Sequence, residues 1–142
     1  MAGGQMLDLE AETRPFNLAE TSEMQMMKTG ALISCAAISG GIVGGADDQL
    51  LAAQAAYAKH LGLAFQIADD LLDYDGDSTV LGKPAGQDAV RGKTGFVALM
   101  GGDAAAAEAK RLIDEAKNAL APWQGAGEYM QELAIFAITR KT

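Results

Sequence analysis

The fold of this chain is decided by Gly62–Asp77, which reads Gly-Leu-Ala-Phe-Gln-Ile-Ala-Asp-Asp-Leu-Leu-Asp-Tyr-Asp-Gly-Asp. The stretch starts strongly apolar and becomes a dense run of carboxylates within two helical turns. On an α-helix, Asp69 and Asp73 lie on one face about 6 Å apart along the axis, and Asp70 lies at its edge. Like charges at this spacing destabilise an isolated helix. The pattern therefore indicates either a solvated helix end or a site for a divalent cation.

Two features of the surrounding sequence favour the cation site. Apolar residues flank the carboxylates, namely Phe65, Ile67, Leu71 and Leu72. A glycine-rich segment with three basic residues follows at once, and these are Lys83, Arg91 and Lys93. The spacing Asp-Asp-x-x-Asp also suits Mg²⁺, which takes one or two carboxylates together with waters and substrate phosphates.

A calcium-binding EF-hand does not fit the same carboxylates. Counted from Asp73, the sixth position is Ser78, whereas the EF-hand loop needs glycine there. The twelfth position is Pro84 in place of the bidentate glutamate. The carboxylates therefore fit a magnesium site better than a calcium-binding EF-hand.

Composition limits the class of protein. The 142 residues are enough for one domain with a real core, and we treat 1–142 as a single unit. Apolar residues make up 49% and aromatic residues only 6%, with many alanines, leucines and glycines, which favours packed helices over sheet. The net charge of −8 argues against nucleic acid as a partner, because phosphate backbones require basic surfaces. Phosphate groups can still be bound through a metal and a few local basic side chains.

The single cysteine and the single histidine do not indicate a catalytic or metal site. Cys35 lies in an apolar run and is expected to be a buried structural thiol. A single cysteine permits no disulfide within the chain, which fits a cytoplasmic location. His60 has no second histidine that could share a metal. The N-terminal residues lack the basic and apolar regions of a signal peptide.

Helical periodicity and breaks predict an all-α chain. A first helix ends near Glu12, and Pro15 separates it from a second helix that begins at Asn17 or Thr21. The second helix is expected to end at about Ser39, followed by a loop over 40–45. The next helix is expected to begin at Asp47 or Asp48, to run to about Lys59 and to continue after Gly62 as the carboxylate helix. A loop over 76–95 and helices over 103–120 and 128–141 are expected to follow. The inner side of the second helix is expected to carry Met24, Met27, Leu32, Cys35 and Ile38.

The stretch Thr29–Ala46 is uncharged throughout, as a membrane span would be. It is at the short limit for crossing a bilayer and is interrupted by serines and glycines. We expect a buried core helix that ends at Gly40 and Gly41, and no membrane-spanning segment. Lys28, just before this stretch, can equally extend from an apolar face to water.

Four sequence blocks together resemble a known family. They are Gly3-Gly-Gln-x-x-Asp-Leu9, Lys28-Thr-Gly-Ala-Leu32, Phe65-Gln-x-x-Asp-Asp-x-x-Asp73, and Leu81-Gly-Lys-x-x-Gly-x-Asp88 followed by Lys93. In this order and spacing, the chain resembles the C-terminal half of a trans-isoprenyl diphosphate synthase, most of all the bacterial farnesyl or geranyl diphosphate synthases. The resemblance implies an all-α helical bundle of the isoprenoid synthase type, here only its C-terminal half.

The resemblance implies a role for each matching residue. Asp69, Asp70 and Asp73 are expected to bind Mg²⁺ to a substrate diphosphate. Lys28, Lys83 and Lys93 are expected to contact the allylic diphosphate, and the oxygens of Thr29 and Gln66 are expected to lie beside the carbon that becomes cationic. Gln5 and Asp8 are expected to support the site from the preceding helix, and Gln5 and Phe65 are expected to be among the substrate-binding residues.

The implied reaction is the condensation of an allylic diphosphate with isopentenyl diphosphate. Family members also carry a first aspartate-rich motif and basic residues that bind isopentenyl diphosphate, both upstream of the part that this chain resembles. We therefore expect it to form a homodimer or to associate with the missing N-terminal half. Two alternatives stay open: a catalytically incomplete remnant that serves as a regulatory or binding subunit, and a terpene cyclase or head-to-head synthase.

Overall fold

The computed structural model describes residues 1–75, 95–123 and 127–140. Within these ranges the secondary structure is helical, with no strand, so the predicted all-α class is confirmed. The α-helices are α1 (Ala2–Glu10), α2 (Leu18–Gln25), α3 (Ala31–Val43), α4 (Asp48–Asp75), α5 (Phe96–Met100), α6 (Gly102–Ala119) and α7 (Glu128–Thr139). A π-helical turn, Met26–Gly30, joins α2 to α3, and a short 3₁₀ turn, Ala121–Trp123, follows α6.

Helix α4 is the central element, and its 28 residues pack most extensively against α6 and then against α3. The α4 side of the main core contains Tyr57, Ala58, Leu61, Ala64 and Ile67. The α6 side contains Ala105, Ala109, Leu112, Ile113 and Ala116. Alanines on both helices let their backbones approach closely, since interaxial distances depend on the side chains at the contact. The carboxylates at the end of α4 are therefore carried by a helix that the core holds firmly.

The entry into α2 is fixed by a capping box at Asn17. The Asn17 side chain accepts hydrogen bonds from the backbone N–H groups of Ala19 and Glu20, at 2.9 and 3.0 Å. The Glu20 carboxylate in turn accepts a hydrogen bond from the Asn17 backbone N–H, at 2.9 Å. These reciprocal bonds satisfy backbone donors that a helix start leaves open. Of the two predicted starts, Asn17 is confirmed as the cap.

The predicted loop over 40–45 is wrong, because α3 continues to Val43. Gly41 is buried against α4, and a Cβ atom there would lie only 1.8 Å from Oε1 of Gln54. This glycine therefore serves the close packing of two helices. The helix ends at Gly44 and Gly45, and Gly45 adopts a positive φ of 74°, which glycine tolerates best.

The buried face predicted for the helix that includes α3 is wrong in large part. Met24 is buried as predicted, but Met27 and Leu32 are 40% and 55% exposed, and Cys35 is exposed as well, so the predicted buried thiol is wrong. The helix packs against α4 and the π-helical turn through one side, which carries Ile33. Its other side faces outward in the described part of the chain. Apolar sequence alone could not reveal which sides have a neighbour.

The run Leu18–Val43 is, by length and composition, the one candidate membrane span among the described helices. Only 11% of its apolar window is buried. Core helices of soluble proteins satisfy the same test of length and composition. The expectation that 29–46 does not span a membrane therefore stays a prediction.

The remaining predicted elements compare closely with the structure. The helices expected over 103–120 and 128–141 are confirmed as α6 and α7, within two residues at each described end. The predicted loop with Lys83, Arg91 and Lys93 lies outside the described residues. The short helix α5 was missed, since five residues are too few for a periodic signal.

Candidate functional site

A polar cavity of about 520 Å³ is lined by α1, α2, the π-helical turn and α4. Its wall gathers most of the side chains that were singled out in the sequence. They are Gln5 and Asp8 from α1, Lys28 and Thr29 from the π-helical turn, and Gln66, Asp69 and Asp70 from α4. Residues from three sequence blocks therefore converge on one cavity, as expected for a binding site.

Lys28 is anchored in this cavity by Asp8. Its Nζ lies 2.8 Å from Oδ2 of Asp8, whose side chain is only 7% exposed. Gln5 approaches the same carboxylate oxygen at 3.4 Å, which is a long contact for a hydrogen bond. The lysine therefore does not simply extend to water, and its ammonium group is held at the cavity wall.

The backbone around Lys28 is brought close to α1 by Gly4. A Cβ atom at Gly4 would lie 2.5 Å from the backbone nitrogen of Lys28 and 2.6 Å from the carbonyl carbon of Met27. Only glycine permits this approach without moving the backbone. The π-helical turn at this point is a rare element that is frequent at functional sites. It delivers Lys28 and Thr29 to the same cavity.

On α4, Asp69 lines the polar cavity, and its carboxylate contacts two other side chains, those of Arg140 and Gln66. The Arg140 guanidinium, from the end of the described chain, donates a hydrogen bond to Oδ1 of Asp69 and forms an ion pair with it. The Gln66 side-chain amide lies 3.4 Å from Oδ2. Partial burial raises the pKa of Asp69 above its ordinary value, and the Arg140 charge opposes that shift.

Asp70 links the same site to the next described helix. Its Oδ2 accepts a hydrogen bond of 2.6 Å from the Phe96 backbone N–H, at the first residue of α5. A carboxylate is favourable there because the N-terminus of a helix carries open N–H donors and partial positive charge. Asp73, one turn further along α4, is half-buried and lies outside the described wall of the cavity.

The metal hypothesis fits this arrangement only in part. Among the described residues, no group of three His, Cys, Asp or Glu side chains lies close enough to hold a metal ion. Two carboxylates, those of Asp69 and Asp70, do line the polar cavity. That donor set suits Mg²⁺, which commonly takes one or two protein carboxylates and completes its shell with waters and phosphate oxygens.

A second cavity of about 540 Å³ is apolar and lies between α3, α4 and α7. Phe65, predicted to line the substrate site, lines this cavity and not the polar one. Tyr57, Leu61 and Phe136 are among its other apolar walls, and Arg140 lines it too. Phe65 and Gln66 are neighbours in sequence, so one turn of α4 contributes to both cavities.

The sequence analysis did not single out Thr21, Gln25 or Arg140 as site residues. Thr21 and Gln25 line the polar cavity, and their side-chain oxygens have no hydrogen-bond partner among the described residues. Together with Lys28 they follow the i, i+4, i+7 spacing of one helix face, a signal that the sequence did contain. Arg140 carried no such signal, because its contact with Asp69 joins residues 71 positions apart. Lys83 and Lys93 lie outside the described residues.

Comparison with known proteins defines the class to which this fold and cavity belong. Residues 1–124 match the family model described as polyprenyl synthetase, and the chain belongs to that family. The suspected relationship is therefore confirmed. Since the match includes α1, the π-helical turn and α4, it includes every described residue that lines the polar cavity.

Individual relatives make the resemblance more specific. The chain is 39% identical to a dimethylallyltranstransferase of Fischerella ambigua (strain UTEX 1903) over 141 residues, which are 99% of this chain and 41% of the relative. It is 41% identical to a farnesyl diphosphate synthase of Escherichia coli (strain K12) over 121 residues, 84% of this chain and 40% of the relative. The chain thus spans about two-fifths of the length of these curated relatives.

Solved structures agree with this assignment and confirm the helical isoprenoid synthase fold. An FPP/GFPP synthase from Zymomonas mobilis superposes with a TM-score of 0.82 at 36% identity, over 96% of this chain and 45% of that one. A polyprenyl synthase from Caulobacter crescentus CB15, solved in complex with calcium and isoprenyl diphosphate, gives 0.89 at 30% identity. This superposition covers 99% of this chain and 56% of the Caulobacter crescentus chain.

Proposed function

We propose that the protein is a chain-elongating prenyltransferase that condenses an allylic diphosphate with isopentenyl diphosphate. The observation that carries the proposal is the convergence of Lys28, Thr29, Gln66, Asp69 and Asp70 on one polar cavity. The family membership supports it, and so do relatives named farnesyl diphosphate synthase and dimethylallyltranstransferase.

In the proposed reaction, the bond between the allylic carbon and the diphosphate oxygen breaks, and diphosphate leaves with the electron pair. The double bond of isopentenyl diphosphate then attacks the allylic cation, and loss of a proton restores a double bond. Lys28 neutralises charge on the leaving diphosphate, while the side-chain oxygens of Thr29 and Gln66 stabilise the cation. Lys83 and Lys93 are proposed to add positive charge on the diphosphate.

Mg²⁺ is the proposed cofactor, with Asp69 and Asp70 as its ligands in the polar cavity and Asp73 as a third. When bound, the ion neutralises charge on the diphosphate oxygens, a contribution of several kcal/mol to the transition state. The calcium and isoprenyl diphosphate in the Caulobacter crescentus relative support a cation-assisted diphosphate site of this kind.

Exposed apolar side chains support a second part of the proposal, that another polypeptide segment covers this chain. Val43 is 89% exposed on α3, and Leu133 and Phe136 on α7 are 54% and 60% exposed. Surfaces of this kind mark interaction sites in soluble proteins. The cover is proposed to be either a second copy in a homodimer or the segments that complete the fold in the longer relatives.

A non-catalytic regulatory or binding subunit is the second candidate function. One observation favours it: the described residues bring together no three carboxylate, imidazole or thiol groups for a metal. On this alternative, the polar cavity binds a diphosphate without turnover.

Turnover with labelled isopentenyl diphosphate, an allylic diphosphate and Mg²⁺ separates these functions. We expect label in an extractable apolar product, and a loss of about a hundredfold or more in Asp69→Ala, by analogy with removal of one electrostatic stabiliser. Asp114→Ala, at an exposed position of α6, is the matched control. Near-normal turnover in Asp69→Ala contradicts the site. Diphosphate binding without turnover supports the non-catalytic subunit.

A further inference from the structure

The Arg140 side chain makes three contacts with described residues. Its Nη2 donates to Oδ1 of Asp69, and its Nη1 donates to the Ala137 carbonyl oxygen at 2.8 Å. Its guanidinium carbon lies 4.0 Å from the centroid of the Phe65 ring, a cation–π contact. The side chain is only 18% exposed. The guanidinium is thus held on three sides, by α4 and by its own helix.

These contacts lie between the two cavities. Asp69 lines the polar cavity, whereas Arg140 and Phe65 line the apolar one. The ion pair therefore joins a wall residue of each cavity, and it joins the end of α7 to α4. An arginine at this place can affect Asp69 without itself lining the polar cavity.

We propose that Arg140 is a positioning residue that neutralises and holds Asp69 in the cation-free protein, and that a divalent cation must displace it. The inference rests on the proposed function, in which Asp69 is a cation ligand. The role of Arg140 follows from its contacts in this chain.

Arg140 and a divalent cation compete for the Asp69 carboxylate because both are positively charged. A guanidinium is always charged in proteins, so Arg140 cannot lose its proton to make room for a cation. A divalent ion and a guanidinium on the same carboxylate repel each other strongly at such short range. The Phe65 ring gives the displaced guanidinium a place to remain, since the cation–π contact does not involve Asp69.

The first test measures Mn²⁺ affinity by calorimetry, with Mn²⁺ as the probe for a Mg²⁺ site. Arg140→Gln is expected to bind Mn²⁺ about two- to fivefold more tightly, the range that follows from a partly exposed ion pair. Arg140→Lys retains a positive charge and is expected to bind more weakly than Arg140→Gln. Arg111→Gln removes the same charge from an exposed ion-paired arginine on α6 and is expected to leave the affinity unchanged.

The second test follows hydrogen exchange in the last turns of α7. Mn²⁺ is expected to increase exchange in residues 133–140 of the wild type, because the ion pair between Arg140 and Asp69 of α4 is lost. In Arg140→Gln, exchange there is expected to be high already and not to respond to Mn²⁺. A purely structural role of Arg140 does not produce this dependence on the ion.

The outcomes distinguish the inference from the proposed function. If the wild type binds Mn²⁺ no better than Asp69→Asn, both the cation site and the inference are overturned. If Asp69-dependent binding is present but Arg140→Gln binds equally or more weakly, only the inference is overturned. Equal affinities of Arg140→Gln and Arg140→Lys overturn it too, because charge then plays no part. Far-UV circular dichroism verifies that each variant is folded, and Arg140→Lys preserves most of the packing.

Discussion

The ammonium group of Lys28 lies 2.8 Å from Oδ2 of Asp8, although the two residues are 20 positions apart on different helices. Asp8 is nearly inaccessible to solvent, with 7% of its side chain exposed, while Lys28 retains 34%. The carboxylate thus supports a lysine whose charge still reaches the polar cavity. This relationship ties the stability of the α1 packing to the chemistry of the site.

Asp8→Asn is expected to lower the free energy of unfolding by about 1–3 kcal/mol, because a buried, charge-assisted hydrogen bond is lost. Glu10→Gln is the matched control on the same helix. Glu10 pairs with Arg14, but both side chains are nearly half exposed, so the effect should stay below about 1 kcal/mol. Urea unfolding of both variants provides the measurement. Equal effects of the two substitutions contradict a special role for the buried pair.

Gly4→Ala is expected to destabilise the fold by about 1–3 kcal/mol, since the new methyl group meets backbone atoms of Met27 and Lys28 that cannot rotate away. Gly3→Ala is the control, because its methyl group meets only the flexible Cε of Met27, at 2.8 Å. Thermal unfolding compares the two. A Gly4→Ala midpoint as high as that of Gly3→Ala shows that α1 and the π-helical turn can separate freely.

Asp70→Ala is expected to open the start of α5 by removing the carboxylate that accepts from the Phe96 N–H. A lost cap of this kind amounts to about 1 kcal/mol, or roughly fivefold faster exchange of the protected amide. Hydrogen exchange at Phe96 measures the effect. Asp73→Ala, one turn further along α4, should leave that amide protected. Unchanged exchange in Asp70→Ala excludes the carboxylate as the cap.

Tyr57 is expected to ionise late in an alkaline titration, since burial raises its pKa from 10.0 to about 12. The folded state then holds the phenolic proton more tightly than the unfolded state does. The resulting stability is fully present below about pH 10 and is lost as the pH rises towards 12. Phenolate absorbance of the wild type minus that of Tyr57→Phe isolates this group. A difference midpoint near 10 contradicts the burial of the hydroxyl.

The same substitution has a second expected effect at neutral pH. The Tyr57 hydroxyl donates to the Met130 carbonyl oxygen at 2.7 Å and ties α4 to α7. Its removal should lower the free energy of unfolding by about 1 kcal/mol. Urea unfolding at neutral pH measures this loss. A Tyr57→Phe stability equal to that of the wild type shows that this hydrogen bond makes no net contribution to the free energy of unfolding.

Local patterns were sufficient for much of the fold. The helical class, the Asn17 cap and the boundaries of α6 depend on neighbours within four or five residues, which the sequence displays directly. Half of the polar cavity wall was also predictable, because the blocks around Gln5, Lys28 and Asp69 resemble a known family. The site roles of these residues remain predictions until substrate or cation binding is measured.

The errors in and around α3 have one physical origin. Cys35 and Leu32 are as apolar as core residues, yet they are exposed, because burial depends on which side of α3 meets α4. Gly41 reads as a helix end but serves a close approach to Gln54. In each case the deciding contact comes from another helix, so no local pattern could contain it.

The sequence by itself determined that the chain is all-α, because helix periodicity is local. Its resemblance to a known family predicted which side chains bind a diphosphate and a cation. Only the tertiary structure decided which hydrogen-bond and ion-pair partners those side chains have. It placed Arg140 on Asp69 and the Asp70 carboxylate on the Phe96 amide, pairs separated by 71 and 26 residues. Such pairs depend on how α4 packs against its neighbours, since the core contacts of the whole bundle set those distances.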